Sequence, residues 1–503
     1  MSIFNTDKRI KLGIWGLGRG SSFISCANAL NIDVVAGCDY NLHMRERFQK
    51  NLPNAFVTDN EDEFLASDID AVLVATWFPA HAKDCIKALN AGKHVMCEVT
   101  SFFTPGEGVQ LVEAVEKSGK VYNLLENYPF MKVNQYAKKL WQQGIFGDFT
   151  YAEYDYNHDC RSLSYTYIDG VPVIPGYEAH NWRSWYHSQH YNTHSLGPVM
   201  QITGLRPESV VAYEIKEPLP GFIPTRGGAR IGASLIHMSN GGVVRNLIGA
   251  SSCDTHSKRI WGTRGFLDFT SNCYVRIGSS GHGRVLNVKP EWPALGDLAD
   301  TMGHGGGDFW ELYYFAREIL TGEKAPWDVY SASDVTIVGL LAARSSMAGG
   351  QPIAIPDFRK KEDRDRFRND FDKPDHFDPK HIFPDGHDPA ITGNFATVMS
   401  KFSNFSGNMG MVLLRNARDG MKLYHELAGD ADRFAVITDV KNLIKALPDL
   451  AANCREAKKI MDAYPACPAA GAIKSTLETC DADWVMDTDN AIRELQQWLI
   501  DIQ

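Results

Sequence analysis

KLGIWGLGRGS, residues Lys11–Ser21, decides the reading of the fold. Leu12–Trp15 is a short apolar run, suited to a strand buried in a parallel sheet. Gly16, Gly18 and Gly20 follow at once, and Ser21–Leu30 has the pattern of a helix. Strand, glycine loop and helix in that order let the backbone approach a pyrophosphate, while the helix N-terminus supplies N–H groups and partial positive charge. The third glycine falls one place earlier than in G-x-G-x-x-G. Ser21 takes the sixth position, where a small side chain still permits close helix–strand packing. Asp33–Cys38, DVVAGC, reads as a second buried strand and leads to Asp39. An acid about 20 residues beyond the glycines suits the ribose hydroxyls of NAD and repels the 2′-phosphate of NADP. Gly16, Leu17, Gly18, Arg19, Gly20, Ser21 and Asp39 are therefore read as cofactor-binding, with NAD as the cofactor. Taken alone, the glycines also fit an ordinary tight turn; the second strand and its acid favour the dinucleotide.

The alternation continues outward. Ala71–Ala75 reads as a strand, Thr76–Pro79 as its carboxyl-end loop, and Ala80–Ala91 as a helix carrying His81. His94–Val99 is a strand containing Glu98, Pro105–Ser118 a helix, Val121–Leu125 a strand leading to Glu126-Asn127, and Met131–Gln142 a helix. Ligands of open α/β sheets bind outside the carboxyl ends of the strands. Thr76, Trp77, His81, Glu98 and Asn127 accordingly join the candidate cofactor residues.

After Gly147 the pattern changes to long alternating runs: Phe149–His158, Val210–Lys216, Ala229–His237, Val243–Ser251, Phe266–Arg276 and Arg284–Val288. They predict a large, mostly antiparallel sheet in an α+β domain, with helices at Asp308–Leu320 and Ser331–Ala348 packed on one of the two sheets. Phe358–Asp370 is dense in both charge signs, and Asp372–Pro389 carries Pro, His and Asp every few residues, which reads as an irregular surface connection. From Ile391 the pattern is helical: Thr397–Phe405, Met409–Leu427, Asp430–Leu450, Cys454–Ala463, Ile473–Thr479 and Thr488–Ile502. The expected division is a Rossmann domain over 1–130, an α+β substrate domain over 131–356, an irregular charged linker over 357–390 and an all-α extension over 391–503. Packing or assembly is the expected role of the extension, with a lid over the site as the alternative.

Bulk properties narrow the classes. The 503 residues call for more than one domain, at about 100–200 residues each. A net charge of −10 argues against general affinity for nucleic acid or anionic membrane. No apolar run is long enough to span a bilayer, and no apolar leader precedes the first strand, so a cytoplasmic location is expected. The ten cysteines form no C-x-x-C and read as standing alone, so neither a disulfide scaffold nor structural zinc is expected. A small-molecule substrate and a homo-oligomer are expected.

Between Tyr154 and Pro198 polar aromatic residues crowd together, among them Tyr156, His158, Arg161, Trp182, Arg183, Tyr191 and His194. His304 and Asp308 follow in GHGGGDF. His and Tyr are the usual proton carriers near neutral pH. His187, His190 and His194 have spacing that mimics a metal site, but no acid lies among them and no metal is expected.

Gly16–Ser21, the run AGKH at Ala91–His94 and the strand with Glu98 resemble the Gfo/Idh/MocA oxidoreductase family. That resemblance implies an N-terminal Rossmann domain and a C-terminal α/β domain. Dehydrogenases of the family carry Glu-Lys-Pro, whose lysine takes part in proton transfer; this chain has Glu98-Val99-Thr100. NAD-dependent glycoside hydrolases of the same superfamily, family 109 (the alpha-N-acetylgalactosaminidase type), also lack the lysine, though Pro is usual where Thr100 stands here. Further segments resemble them: LLENYPF at Leu124–Phe130, YNHDCR at Tyr156–Arg161, NWR at Asn181–Arg183, YNTHSLGP at Tyr191–Pro198 and HGGGDF at His304–Phe309. The resemblance covers about residues 10–356 and implies a glycosidase acting by transient C3 oxidation, elimination across C1–C2, water addition and re-reduction. By the same resemblance Tyr191 and His194 are the acid/base pair near C3 and C2, and Tyr156 and His158 serve C2 deprotonation or the leaving group. Arg161, Tyr191, His304 and Asp308 would hold substrate, and Trp182 and Arg183 would lie near the nicotinamide or its ribose. A sugar or polyol dehydrogenase releasing NADH, and a non-catalytic NAD-holding scaffold, are the alternatives.

Overall fold

Six parallel strands carry the glycine loop and its neighbours: β1 (Ile10–Trp15), β2 (Ile32–Cys38), β3 (Phe56–Thr58), β4 (Ala71–Val74), β5 (His94–Glu98) and β6 (Tyr122–Leu125), ordered β3-β2-β1-β4-β5-β6. The computed structural model describes residues 3–158, 187–219, 228, 230–251, 254–278, 283–373 and 410–502. β4 is buried at every position, as a strand covered on both faces must be. Helices α1 (Leu42–Asn51), α2 (Glu61–Ala66), α3 (His81–Asn90) and α4 (Pro105–Ser118) join the strands. α4 starts at a capping box, with Thr104 Oγ1 accepting the Glu107 N–H and Glu107 bonding back to the Thr104 N–H. The expected helix over Ser21–Leu30 is instead three short turns: 3₁₀ at Arg19–Phe23, α at Ile24–Ala27 and 3₁₀ at Asn28–Leu30.

After α5 (Lys132–Gln142) comes β7 (Phe149–His158), the middle of a nine-stranded sheet. Its order is β14-β13-β12-β11-β7-β10-β9-β8-β15, from β8 (Pro207–Glu214), β9 (Ile231–Met238), β10 (Val243–Ala250), β11 (Lys258–Gly262), β12 (Gly265–Asp268), β13 (Tyr274–Ile277), β14 (Arg284–Asn287) and β15 (Ile353–Ala354). Every pair is antiparallel except β7 with β10. The run expected as one strand over Phe266–Arg276 folds back on itself as β12 and β13, and β11 and β15 were not expected. β9 alternates cleanly, with Ser234, Ile236 and Met238 inward and Leu235 and His237 exposed.

Three helices bring this sheet to the first. α6 (Thr193–Thr203) is buried along most of its length. α7 (Gly307–Thr321) packs on β6, and α8 (Val329–Met347) lies on β8 and against α4 and β6. α8 is buried along most of its length because it is sandwiched, and its one buried acid, Asp334, is paired with Arg206 and Arg359. The charge-dense run after it is not an irregular linker throughout. Residues 361–367 form α9 (Lys361–Phe367), and its charges find partners on the body. Arg364 pairs with Glu116 at 2.7 Å and Arg368 with Glu113 at 2.8 Å, both on α4, while Arg344 holds Asp370 through two 2.6 Å bonds.

The extension comprises α10 (Gly410–Leu423), α11 (Asp430–Ala463), α12 (Pro468–Thr479), α13 (Ala482–Met486) and α14 (Thr488–Asp501). Sequence predicted a break before Cys454, yet α11 runs 34 residues through Pro448. Interior proline costs about 3 kcal/mol. Leu443, Leu447, Leu450, Ala451 and Cys454 are buried on both sides of it, and that packing offsets the cost. The helix predicted at Thr397–Phe405 lies outside the described residues. Among the described residues no helix is long and apolar enough to cross a membrane.

Candidate active site

β1 ends at Trp15, and the chain turns at Gly16 with φ +95°. A Cβ there would lie 2.2 Å from the Ala75 carbonyl oxygen, so only glycine fits. A Cβ on Gly20 would meet Ile14 Cγ2 at 2.5 Å. The close approach of helical turn to strand is therefore made by Gly20, not Ser21, whose hydroxyl donates to the Leu17 carbonyl at 2.6 Å. Gly18 is different: nothing lies within 4 Å of where its Cβ would be. The loop thus leaves its backbone open at Gly18, which gives a pyrophosphate room to approach. Asp39 fastens this loop, with Oδ2 accepting the Leu17 N–H and Oδ1 the Asn41 N–H, each at 2.8 Å. Burial pushes its carboxyl up, against the pull of those two amides.

Other nominated residues meet at the same edge, some in unexpected roles. The Arg19 guanidinium turns away from the loop: Nε donates to Glu98 at 2.8 Å, while Nη1 and Nη2 donate to the two oxygens of Asp308, each at 2.8 Å. Asp308 also accepts from Asn127 Nδ2 at 3.1 Å and faces His304 Nδ1 at 3.0 Å. The sequence reading gave Asp308 to substrate hydroxyls; with a side chain only 1% exposed and both oxygens engaged, it ties α7 to the glycine loop instead. Burial would raise its carboxyl, but His304 and Arg19 hold it well below the usual range. His81, read as touching the cofactor, is buried and faces the Thr100 carbonyl at 2.8 Å and the Thr76 carbonyl at 3.2 Å, so it clamps two strand-end loops together. Thr76 Oγ1 donates to Asp84 at 2.6 Å, and Trp77 is half-buried beside Phe78.

His194 stands on the first turn of α6, against the end of β6. Its Nδ1 lies 2.8 and 2.9 Å from the two oxygens of Glu126, which is fully buried and also accepts the Tyr128 N–H at 3.1 Å. A carboxylate on Nδ1 holds the proton there and leaves Nε2 as the basic nitrogen. Three tyrosines enclose the ring: Tyr128 stacks on it at 4.3 Å, Tyr191 lies at 4.6 Å and Tyr156 at 4.8 Å, edge to face. His256 stacks on Tyr156 at 5.3 Å, and burial followed by the charge of Lys258 pushes it down to about 4, so it is neutral at neutral pH. His158 Nδ1 faces Asp254 at 3.0 Å beside Tyr156. A buried imidazole with a fixed tautomer, ringed by phenols, can pass protons to and from a hydroxyl group. Among the described residues no cluster of metal-ligating side chains occurs.

Between the two groups sits Glu311, 3% exposed, with neither carboxyl oxygen bonded. Burial, reinforced by Asp308 and Glu98, pushes its carboxyl well up, so it keeps its proton to higher pH than a free carboxyl does. The unfolded chain loses that proton above about pH 4.5 while the folded chain keeps it, so stability falls as pH rises from there. Glu311→Gln should therefore raise the melting temperature, and raise it more at pH 8 than at pH 5. Linkage allows up to about 1.4 kcal/mol per pH unit, roughly 3–6 °C in a domain of about 150–250 residues. An equal change at both pH values in thermal scans would show that Glu311 is ionised.

Arg161, Trp182 and Arg183 lie outside the described residues. Sequence reasoning gave no role to Glu126, Tyr128, Asp254 or His256. LLENYPF held the signal for the first two, since a buried acid at a strand end needs a partner.

Comparisons with known proteins fit this layout. Residues 10–125 match the oxidoreductase family, NAD-binding Rossmann fold, and residues 287–364 match the glycosyl hydrolase 109 C-terminal domain. The chain is 28% identical over 412 residues to an alpha-N-acetylgalactosaminidase of Tannerella forsythia, spanning 71% of this chain and 87% of that one. It is 28% identical over 400 residues to a glycosyl hydrolase family 109 protein of Streptomyces filamentosus, spanning 71% and 79%. In fold it is similar to levoglucosan dehydrogenase in complex with NADH and levoglucosan, with TM-score 0.57 and 19% identity over 69% of this chain and all of that one. An inositol dehydrogenase homolog of Azotobacter vinelandii, complexed with NADH and myo-inositol, gives 0.54 and 19% over 69% and 98%.

Proposed function

We propose, on the premise of its matches to the NAD-binding oxidoreductase family and to the glycosyl hydrolase 109 C-terminal domain, that the chain is an NAD-dependent glycosidase of the Gfo/Idh/MocA type. The observation that carries the reading is the Glu126–His194 pair in its tyrosine cage, at the edge of a sheet whose loop fits a dinucleotide and whose Glu98-Val99-Thr100 run lacks a lysine.

The backbone of Gly16–Ser21 would hold the pyrophosphate, and Asp39 the adenosine ribose, where its charge favours NAD over NADP. Glu98 and Asn127 lie at the carboxyl ends of β5 and β6, where the nicotinamide end is reached. What NAD supplies when bound is a reversible hydride store: a hydride leaves the sugar's C3 at the start and returns to C3 at the end. The C3 hydroxyl proton goes to His194 Nε2, directly or relayed through the Tyr191 hydroxyl, which passes its own proton on as it receives one, and Glu126 holds the imidazolium that forms. Once C3 is a ketone the C2 proton is acidic. Tyr156 or His158 removes it, and the other protonates the departing group at C1. Water adds to the resulting double bond, and the same groups run in reverse. His304 keeps Nε2 for a substrate hydroxyl, since Nδ1 faces Asp308. The glycoside is the substrate class; alpha-N-acetylgalactosaminides come first because the Tannerella forsythia relative is named for them.

The test is hydrolysis of aryl glycosides without added NAD, in heavy water. The expected product carries deuterium at C2, and thioglycosides are cleaved at rates close to their oxygen counterparts, since elimination does not build an oxocarbenium ion as a two-carboxylate site does. Product free of deuterium at C2 would sink the mechanism. NADH accumulating without release of the aryl group would instead make the chain a sugar dehydrogenase.

A further inference from the structure

One pair of cysteines in the helical extension is in contact. Cys454 Sγ on α11 and Cys480 Sγ, just past α12, lie 4.0 Å apart. Both are buried, at 0% and 2% exposure. No C-x-x-C announces this pair in the sequence, where 26 positions separate the two and each cysteine reads as standing alone. Beside them opens a pocket of about 180 Å³, lined by Leu414, Arg415, Arg418, Lys422, Cys480 and Asp481 among others. Its rim is charged: Arg418 pairs with Asp481, and Lys422 and Arg415 pair with Asp419. Cys480 forms part of its wall, and the Cys454 sulfur lies 4.0 Å from the Cys480 sulfur.

We propose that Cys454 and Cys480 are a reversible dithiol, closed to a disulfide by a small peroxide admitted through this pocket. Two thiols already in contact need only side-chain rotation to reach bonding distance. Contact between the two sulfurs lowers the Cys454 thiol and raises that of Cys480, so of the two Cys454 gives up its proton the more readily and reacts first. Its sulfur attacks one peroxide oxygen, the O–O bond breaks, and Cys454 becomes a sulfenic acid as the first water leaves. Cys480 sulfur then attacks Cys454 sulfur, the S–S bond forms and the second water leaves. Two thiols lose two electrons and two protons, and one hydrogen peroxide becomes two waters. A thiol reductant reverses the change by exchange. The bond would fasten the middle of α11 to the end of α12, next to the Arg418–Asp481 pair that ties α10 to the same corner.

The test uses the full chain, reduced, freed of reductant, and titrated with hydrogen peroxide. Remaining thiols are then alkylated and the chain is digested with trypsin without reduction. Cleavage separates Cys454, in 446–455, from Cys480, in 475–493, and both from Cys467. The expected result is a linked 446–455/475–493 peptide, two fewer free thiols per chain, and return of both on adding dithiothreitol. Closing the loop should also raise the unfolding midpoint of the extension by several degrees. In Cys480→Ser the same dose should leave a sulfenic acid on Cys454, trapped by dimedone. Cys454 and Cys480 recovered as separate alkylated thiols, at doses that oxidise other cysteines, would overturn the proposal. A link between Cys85 and Cys97 instead, both 0% exposed in the Rossmann core, would overturn it equally.

Discussion

His194→Ala is expected to cut turnover by roughly 10²–10⁴-fold while NAD stays bound, the usual contribution of a positioned general acid or base. Tyr191→Phe should fall in the same range, because its ring centroid lies 4.6 Å from that of His194 and the proposed mechanism relays the C3 hydroxyl proton through its hydroxyl. Glu126 acts through His194 and is a positioning residue. Glu126→Gln keeps an oxygen to accept the Tyr128 amide and His194 Nδ1, but it removes the charge that stabilises the imidazolium. Loss of one charged bond of about 3 kcal/mol corresponds to about 10²-fold in turnover. Groups that work as a unit are not additive. Glu126→Gln placed on His194→Ala should therefore cost almost nothing further. Aryl-group release measures turnover, and the nucleotide extracted from purified protein measures bound NAD. Full additivity of the two losses, or near-normal turnover in His194→Ala, would remove His194 from the chemistry.

Gly18→Val should lose NAD without losing the fold. The space where its Cβ would go is empty of protein, so the side chain enters only the room a pyrophosphate would occupy. Two amide–phosphate bonds of about 1.5–3 kcal/mol each are at stake. The expected drop in affinity is about 10²–10⁴-fold, at about 1.4 kcal/mol per tenfold. Gly16→Val is the contrast: its Cβ would sit 2.2 Å from the Ala75 carbonyl, and φ there is +95°, so the folded state itself should fail. Isothermal titration with NAD and thermal unfolding of the ligand-free chains separate the two outcomes. Unchanged NAD affinity in Gly18→Val would mean that the loop does not cradle a dinucleotide.

What the sequence made legible was local, or came as a recognised run. The glycine loop, Asp39 and the strand ends are each readable within one strand–helix unit, and all lie at one edge of the sheet. His194 stood out in YNTHSLGP, but its partner Glu126 is 68 positions away, and nothing local marks a carboxylate as the one that orients a histidine. Arg19 shows the same limit. It stands inside the glycine motif, yet Asp308, which claims its guanidinium, is 289 positions on. Asp254 and His256 were missed because they sit in the short connection from β10 to β11, strands that flank β7 on either side. That parallel placement of β10 beside β7 puts His256 against Tyr156, and no periodicity announces it. The charge-dense run at 361–367 looked solvated because its partners, Glu113 and Glu116, belong to a helix about 250 positions earlier.

The Arg19 bridge sets how the molecule stands toward its surroundings. Arg19 lies between Gly18 and Gly20, so swinging the loop outward means breaking its bonds to Glu98 and Asp308 together. On the proposed mechanism the oxidant is regenerated in every cycle and has no need of that movement. A cofactor so held would be carried as a part of the protein rather than drawn from a shared pool. The rate of such a catalyst would follow its substrate, not the NAD/NADH ratio of the cell around it.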